Sequence, residues 1–161
     1  MLTEVLGAVE IDPALLGDKN FKPIAPGMKY RHYAPKEPVY LLEGMAVERL
    51  PKLVDKAVAA GLRVGVLCDA VISEKLPRDE HVLLSCWGAS REALAADLFY
   101  LLRDFDRTKP DVILAQGVSE DGIGLAIMNR LRKAAGYQII TLEKGVLTLK
   151  GDKQLPAFMI Q

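Results

Sequence analysis

Neither sign of charge is in excess in this sequence. Its 161 residues carry 21 Lys and Arg against 21 Asp and Glu, a formal net charge of zero. A chain so balanced lacks the broad basic field that non-specific nucleic-acid binding needs, so no strong nucleic-acid partner is expected; a local basic patch stays compatible with zero net charge. Cysteine is scarce. Cys68 and Cys86 each close an apolar run, Val64 to Cys68 and Val82 to Cys86. Two such thiols read as small core residues in a reducing compartment, not as a disulfide. With only two histidines beside them they are too few for a metal site. No apolar stretch approaches the ~20 residues of a membrane span, so no membrane partner is expected. The N-terminus, MLTEVLGAVEIDP, holds Glu4 and Glu10 and no basic segment, so it does not read as a signal peptide, and the expected location is the cytoplasm. Internal repeats and low-complexity segments are lacking as well, and neither GxxxxGK nor GxGxxG occurs.

What is present is an ordinary globular composition, 50% hydrophobic and 26% charged, in a length that suits one domain with a real core. Residues 1–12 read as a short helical turn, Thr3 to Leu6, a break at Gly7 and an apolar stretch from Ala8 to Ile11: the last piece of something upstream. Residues 13–38 differ in kind. They hold Pro13, Pro23, Pro26, Pro35 and Pro38, five of the nine prolines, with Gly17 and Gly27. Proline removes backbone donors and disfavours helix in the residue before it, so an extended linker is expected. A plain spacer is small and polar. This one carries Met28, Lys29, Tyr30, Arg31, His32 and Tyr33 in succession, side chains suited to docking on something.

From residue 39 the pattern alternates between strands and helices. Val39 to Leu42 is a short strand. Leu53, Val54, Ala57 and Val58 give residues 50–60 a helical face, with Pro51 in the first turn and Gly61 beyond the end. Leu62 to Cys68 and His81 to Cys86 are continuous apolar runs, expected as strands buried on both faces. Ser90 is a candidate N-cap for a helix over 91–106, whose apolar stripe is Leu94, Leu98, Leu101, Leu102 and Phe105. Asp111 to Ala115 is a further strand. A third helix opens at Gly122 or Ile123 and stops at Gly136. Gln138 to Leu142 and Val146 to Leu149 read as a terminal hairpin at the sheet edge, turning at Lys144-Gly145. The order predicts an α/β fold: an open, Rossmann-like, mostly parallel sheet with helices on both faces, preceded by the linker.

Three groups of residues are candidates for chemistry. Lys29 and Arg31 suit phosphate or carboxylate, the guanidinium in bidentate fashion. Tyr30 and Tyr33 suit stacking or covering a pocket, and His32 titrates near neutrality. The competing reading is that both tyrosines only pin the linker to a surface. Gln116 to Gly124, QGVSEDGIG, is a strand-to-helix loop where open α/β sheets place ligands, with Gly117, Ser119, Gly122 and Gly124 as candidate contacts. Glu120 and Asp121 would repel a phosphate there, which favours a turn with an acidic cap. Asn129, Arg130, Arg132 and Lys133 read as a solvated helix face. His81 is expected to be structural or exposed without a ligand partner, and Trp87 to pack at a sheet edge.

The stretch APGMKYRHYAP, Ala25 to Pro35, resembles the signature linker of the long, two-domain threonylcarbamoyl-AMP synthases. IGLAIMNRLRKAA, Ile123 to Ala135, is similar to the last helix of their C-terminal domain. DVILAQGVSEDGIG resembles the strand and loop leading into it, where the family often has Glu at the position of Gln116. The resemblance implies a YrdC-like catalytic domain in cis. It implies condensation of L-threonine, bicarbonate and ATP, accompanied by magnesium, into threonylcarbamoyl-AMP with release of pyrophosphate. That nucleotidyl transfer feeds threonylcarbamoyladenosine synthesis on tRNAs that read ANN codons. In such enzymes the linker crosses the mouth of the YrdC-domain pocket, so Lys29 and Arg31 would face phosphate or carboxyl groups while His32 and Tyr33 close the lid. Residues 1–12 would then be the end of a YrdC-like domain, 13–38 the linker and 39–161 the C-terminal domain, with 137–161 longer than the family suggests. On this reading the rest of the catalytic domain is missing. No catalytic residue is expected here, no ligand is held tightly, and the chain alone is expected to be inactive. The alternatives are a stand-alone nucleotide or small-ligand module and a structural or oligomerisation domain.

Overall fold

The computed structural model describes residues 34–88 and 90–160. The linker motif Lys29 to Tyr33 and everything before it lie outside the described residues.

Six strands form one sheet in the order β3-β2-β4-β1-β5-β6. They are β1 (Val39–Leu42), β2 (Val64–Cys68), β3 (Val82–Cys86), β4 (Val112–Gln116), β5 (Ile139–Glu143) and β6 (Val146–Lys150). The first five run parallel, and β6 returns antiparallel to β5. Between them lie a 3-10 turn (Gly44–Arg49), α1 (Leu50–Ala59), α2 (Ala70–Ser73), α3 (Arg91–Thr108) and α4 (Gly124–Ala134), and α5 (Ala157–Ile160) ends the chain. The expected α/β sheet with helices on both faces is therefore the observed one.

Side-chain alternation sorts the core into two layers. Tyr40, Leu42, Val64, Val66, Val112, Leu114 and Ile140 meet Ala46 of the turn, Leu50, Leu53, Val54 and Ala57 of α1, Ile72 of α2 and Met159 of α5. On the other face Val39, Leu41, Leu67, Ile113 and Ala115 meet Leu94, Leu98, Leu102 and Phe105 of α3, and Ile127, Met128 and Leu131 of α4. The chain moves toward β3 over the first face and back toward β5 over the second. A single handedness of crossover requires that division.

Local signals act where they stand in the sequence. Ser90 accepts the Ala93 N–H at 3.1 Å and starts α3. At the end of α4 the Gly136 N–H donates to Lys133 O at 3.0 Å and the Tyr137 N–H to Arg132 O at 2.8 Å, a Schellman close with Gly136 at φ +58°. The hairpin turns at Lys144 and Gly145, both at positive φ, and Glu143 pairs with Val146. That is the I′ geometry whose twist matches the strands it joins.

Three expectations need correction. β2 does not run straight into β3: α2 intervenes, capped by Asp69, whose Oδ1 accepts the Ile72 N–H at 2.8 Å. Four residues are too few for a helical period to show. β3 is not buried on both faces but is an edge strand, with Leu84 and Cys86 exposed. Cys86 is consequently no core thiol, whereas Cys68 is buried. His81 is partly exposed, in keeping with the expectation, and its Nδ1 lies 2.8 Å from Asp79 Oδ1. Trp87 is buried with Leu67 and Leu94. Among the described residues no helix is long and apolar enough to cross a membrane.

Candidate functional site

The carboxyl ends of β1, β2 and β4 share one edge of the sheet, where parallel α/β folds hold ligands. Glu43 follows β1, Asp69 follows β2, and Gln116 ends β4 and opens the loop to α4. Gln116 is only 8% exposed. Its Oε1 accepts the Asp69 N–H at 2.9 Å and its Nε2 donates to Asp69 Oδ2 at 3.1 Å. The amide thus bridges β2 and β4 and steadies the cap of α2. A glutamate at this position would lose the Nε2 donor and set two carboxylates face to face, so glutamine here matches Asp69.

The loop of residues 117–123 is held from several sides. The Gly117 N–H donates to Leu42 O at 2.8 Å, and a Cβ at Gly117 would meet that same oxygen at 2.6 Å. Ser119 Oγ donates to Asp121 Oδ1, and Arg91 Nη1 reaches Asp121 Oδ1 at 2.9 Å, Asp121 O at 2.8 Å and Ser119 O at 3.2 Å. The Ser119 hydroxyl, then Arg91, hold the Asp121 carboxyl below its usual range. Gly122 takes φ +58°, and the Gly124 N–H donates to Asp121 O at 3.0 Å. A side chain on Gly124 would run into the Ser119 carbonyl. The four loop residues singled out from the sequence are thus brought together, and the Gly117 and Gly124 amides donate inside the domain.

Sequence reasoning missed Arg132. It is not part of a solvated face but is 23% exposed, with Nε on Glu43 Oε2 at 2.8 Å and Nη2 on Glu43 Oε1 at 3.2 Å and on Glu120 Oε2. The fork joins the end of β1 to the loop before α4. The bonds to Glu43, more than those to Glu120, raise its pKa further above the usual arginine value. The guanidinium groups of Arg91 and Arg132 are therefore spent on the carboxylates Glu43, Glu120 and Asp121 rather than offered to a phosphate. Arg132→Met should lower stability by ~1–3 kcal/mol in urea denaturation, because Glu43, 19% exposed, loses its counter-charge. Arg132→Lys, keeping charge without the fork, should fall between. Among the described residues no cluster of three metal-ligating side chains occurs.

Comparison with known proteins covers this edge and the residues before Ala34 together. The family described as "Threonylcarbamoyl-AMP synthase, C-terminal domain" matches residues 1–136. The chain belongs to this family. The threonylcarbamoyl-AMP synthase of Pyrococcus abyssi is 44% identical over 142 residues, 86% of this chain and 40% of its own length. That of Bacillus subtilis is 44% identical over 137 residues, 84% of this chain and 38% of its own. The Schizosaccharomyces pombe protein of the same name is 36% identical over 125 residues. The chain thus spans about two fifths of the length of the synthases it matches. Among solved structures, P. abyssi Sua5 complexed with L-threonine aligns with a TM-score of 0.63 at 42% identity, covering 85% of this chain and 39% of that one. The C-terminal Sua5 domain from Pyrococcus horikoshii aligns with a TM-score of 0.50 at 33% identity over 67% of this chain and 99% of that domain. The synthase family profile ends at residue 136, so β5, β6 and α5 lie beyond it.

Proposed function

We propose that this chain is the C-terminal portion of an L-threonylcarbamoyladenylate synthase. The whole protein condenses L-threonine, bicarbonate and ATP, with magnesium on the phosphates, into threonylcarbamoyl-AMP and pyrophosphate for tRNA threonylcarbamoyladenosine synthesis in the cytoplasm. The observation that carries this reading is the family match over residues 1–136, which takes in the linker motif and α4. The substrate pockets sit in a YrdC-like domain in cis that residues 1–12 complete; residues 13–38 form the linker, 39–161 the C-terminal domain, and 137–161 its atypical tail.

Lys29 and Arg31 offer positive charge to nucleotide phosphate or substrate carboxylate, and His32 and Tyr33 cover the pocket. A cover that excludes water suits this chemistry, because carbamates and mixed anhydrides hydrolyse readily. His32-Tyr33 is this chain's His-Tyr pair, and a P. abyssi Sua5 with an adjacent His and Tyr both replaced by Ala has been solved. The α/β domain supports the linker, with Gly117, Ser119, Gly122 and Gly124 serving the shape of its carboxyl-edge loop and holding no ligand tightly.

Pyrophosphate release with ATP, L-threonine and bicarbonate tests this. The chain alone should release none, and the chain fused behind a YrdC-like domain should turn over. In that fusion Lys29→Ala with Arg31→Ala should lower kcat/KM by roughly 100-fold. Turnover by the short chain, or full activity with residues 29–33 scrambled, would overturn the assignment.

A further inference from the structure

Cys68 and Cys86 end neighbouring parallel strands, β2 and β3, and are partners in the register. Partners across a parallel pair share a face with backbones about 4.7–4.9 Å apart. Disulfides span Cα separations of roughly 4.4–6.8 Å and Cβ separations near 3.8 Å, so closure asks for a shift of about an ångström. The edge position can supply it. β3 is bonded to the sheet on one side only, and Gly88 at φ +89° follows it after Trp87. The strand ends are also held in place by Trp87 N–H to Cys68 O and Ala70 N–H to Gly88 O, both at 3.1 Å. The two thiols differ in access: Cys86 is exposed, and Cys68 is fully buried beneath the first-face helices. Burial, with smaller contributions from Cys86 and Asp69, pushes the Cys68 thiol up to about 12, so Cys68 is protonated and inert in the reduced protein.

We propose that this pair is a redox-responsive site, in which Cys86 takes a peroxide and Cys68 resolves it into a cross-strand disulfide. In the first step the Cys86 thiolate attacks one peroxide oxygen. An S–O bond forms, the O–O bond breaks, and the departing hydroxide takes a proton as water. Sulfur is oxidised by two electrons and the peroxide is reduced. In the second step the Cys68 sulfur attacks the Cys86 sulfur. The S–S bond forms, the S–O bond breaks, and hydroxide leaves with the Cys68 proton as a second water. Two thiols and one peroxide give one disulfide and two waters. The product ties β2 to β3 directly beside Asp69, the residue that caps α2 and bonds Gln116.

The full chain is treated with one equivalent of hydrogen peroxide and mapped by non-reducing peptide mass spectrometry. The expected product is a monomer lighter by two hydrogens, with one peptide linking Cys68 to Cys86, reversed by dithiothreitol. Before oxidation, iodoacetamide should label Cys86 in the folded protein and Cys68 only after unfolding. Cys68→Ser should leave the rate of peroxide consumption within about two-fold while the product stops at a dimedone-trapped sulfenic acid. Cys86→Ser should slow consumption at least ten-fold. The proposal is overturned by Cys86–Cys86 dimers, or by sulfinic acid at Cys86 with Cys68 still alkylated after unfolding. It also fails if the Cys68 variant gives the same oxidised product as the unsubstituted chain, with no sulfenic acid trapped at Cys86.

Discussion

Ending the chain at Gly136 should abolish cooperative folding, although the family match ends there. β5 is the parallel partner of β1 on the side away from β4, with Leu41 N–H on Gln138 O at 3.0 Å and Glu43 N–H on Ile140 O at 2.9 Å. Removing it turns the central strand into an edge. Ile140 and Met159 are 0% and 3% exposed, and Leu142, Leu147, Leu149, Leu155 and Phe158 pack half-buried on the same layer. Two full burials contribute ~1.5–3 kcal/mol each, and the five partial ones add to them, against a total stability of about 5–15 kcal/mol for a domain. The shortened chain should bind ANS and show no sigmoidal urea transition by far-UV circular dichroism. A transition with the midpoint of the full chain would show that the tail is dispensable.

Replacing Gly65 with leucine should cost more than ~3 kcal/mol. Gly65 sits mid-strand in β2, flanked by β3 and β4. A Cβ there would stand 2.7 Å from Phe105 Cε1, 2.9 Å from Phe105 Cδ1 and 3.0 Å from Pro110 Cγ. Phe105 is 1% exposed and among the largest buried side chains, so it has no rotamer to retreat to. Gly65→Ala alone should cost ~1–3 kcal/mol. Phe105→Leu should also destabilise alone, by leaving a cavity. The double variant should recover at least ~1 kcal/mol of the summed loss, a coupling measured as a double-mutant cycle in urea. Strict additivity would mean that ring and strand do not share the space.

Much of this architecture is written locally. Ser90, Gly136 and the Lys144-Gly145 turn each act within a few residues of themselves, and the runs at Val64 to Cys68 and Val112 to Ala115 announce buried strands by continuity. What escaped a linear reading depends on distance. Nothing near Val82 says that β3 has a neighbour on one side only, so Cys86 looked like Cys68. Nothing near Arg132 says that Glu43 will face it, because their meeting depends on β1 lying between β4 and β5. The reading of residues 13–38 as a linker rests on another kind of signal. Its residue types are costly in a spacer, and the sequence points at Lys29, Arg31, His32 and Tyr33 while the described residues begin at Ala34.

The strand order also sets a timetable. Val39 pairs with Ile113, and Leu41 with Ile139, so the first of the described strands has the fourth and fifth as its neighbours. On the ribosome, Leu41 and Leu42, wholly buried at the end, have no sheet to join until α3, β4 and finally β5 have emerged. Long-range pairing of this kind folds slowly and leaves apolar strand exposed during synthesis. β2 and β3, consecutive in the chain with only α2 between them, are free to pair early; β1 must wait. For these strands the hazardous interval therefore begins at Val39 and closes only when β5 has emerged, making Tyr40 to Leu42 the stretch where a holding chaperone would matter most.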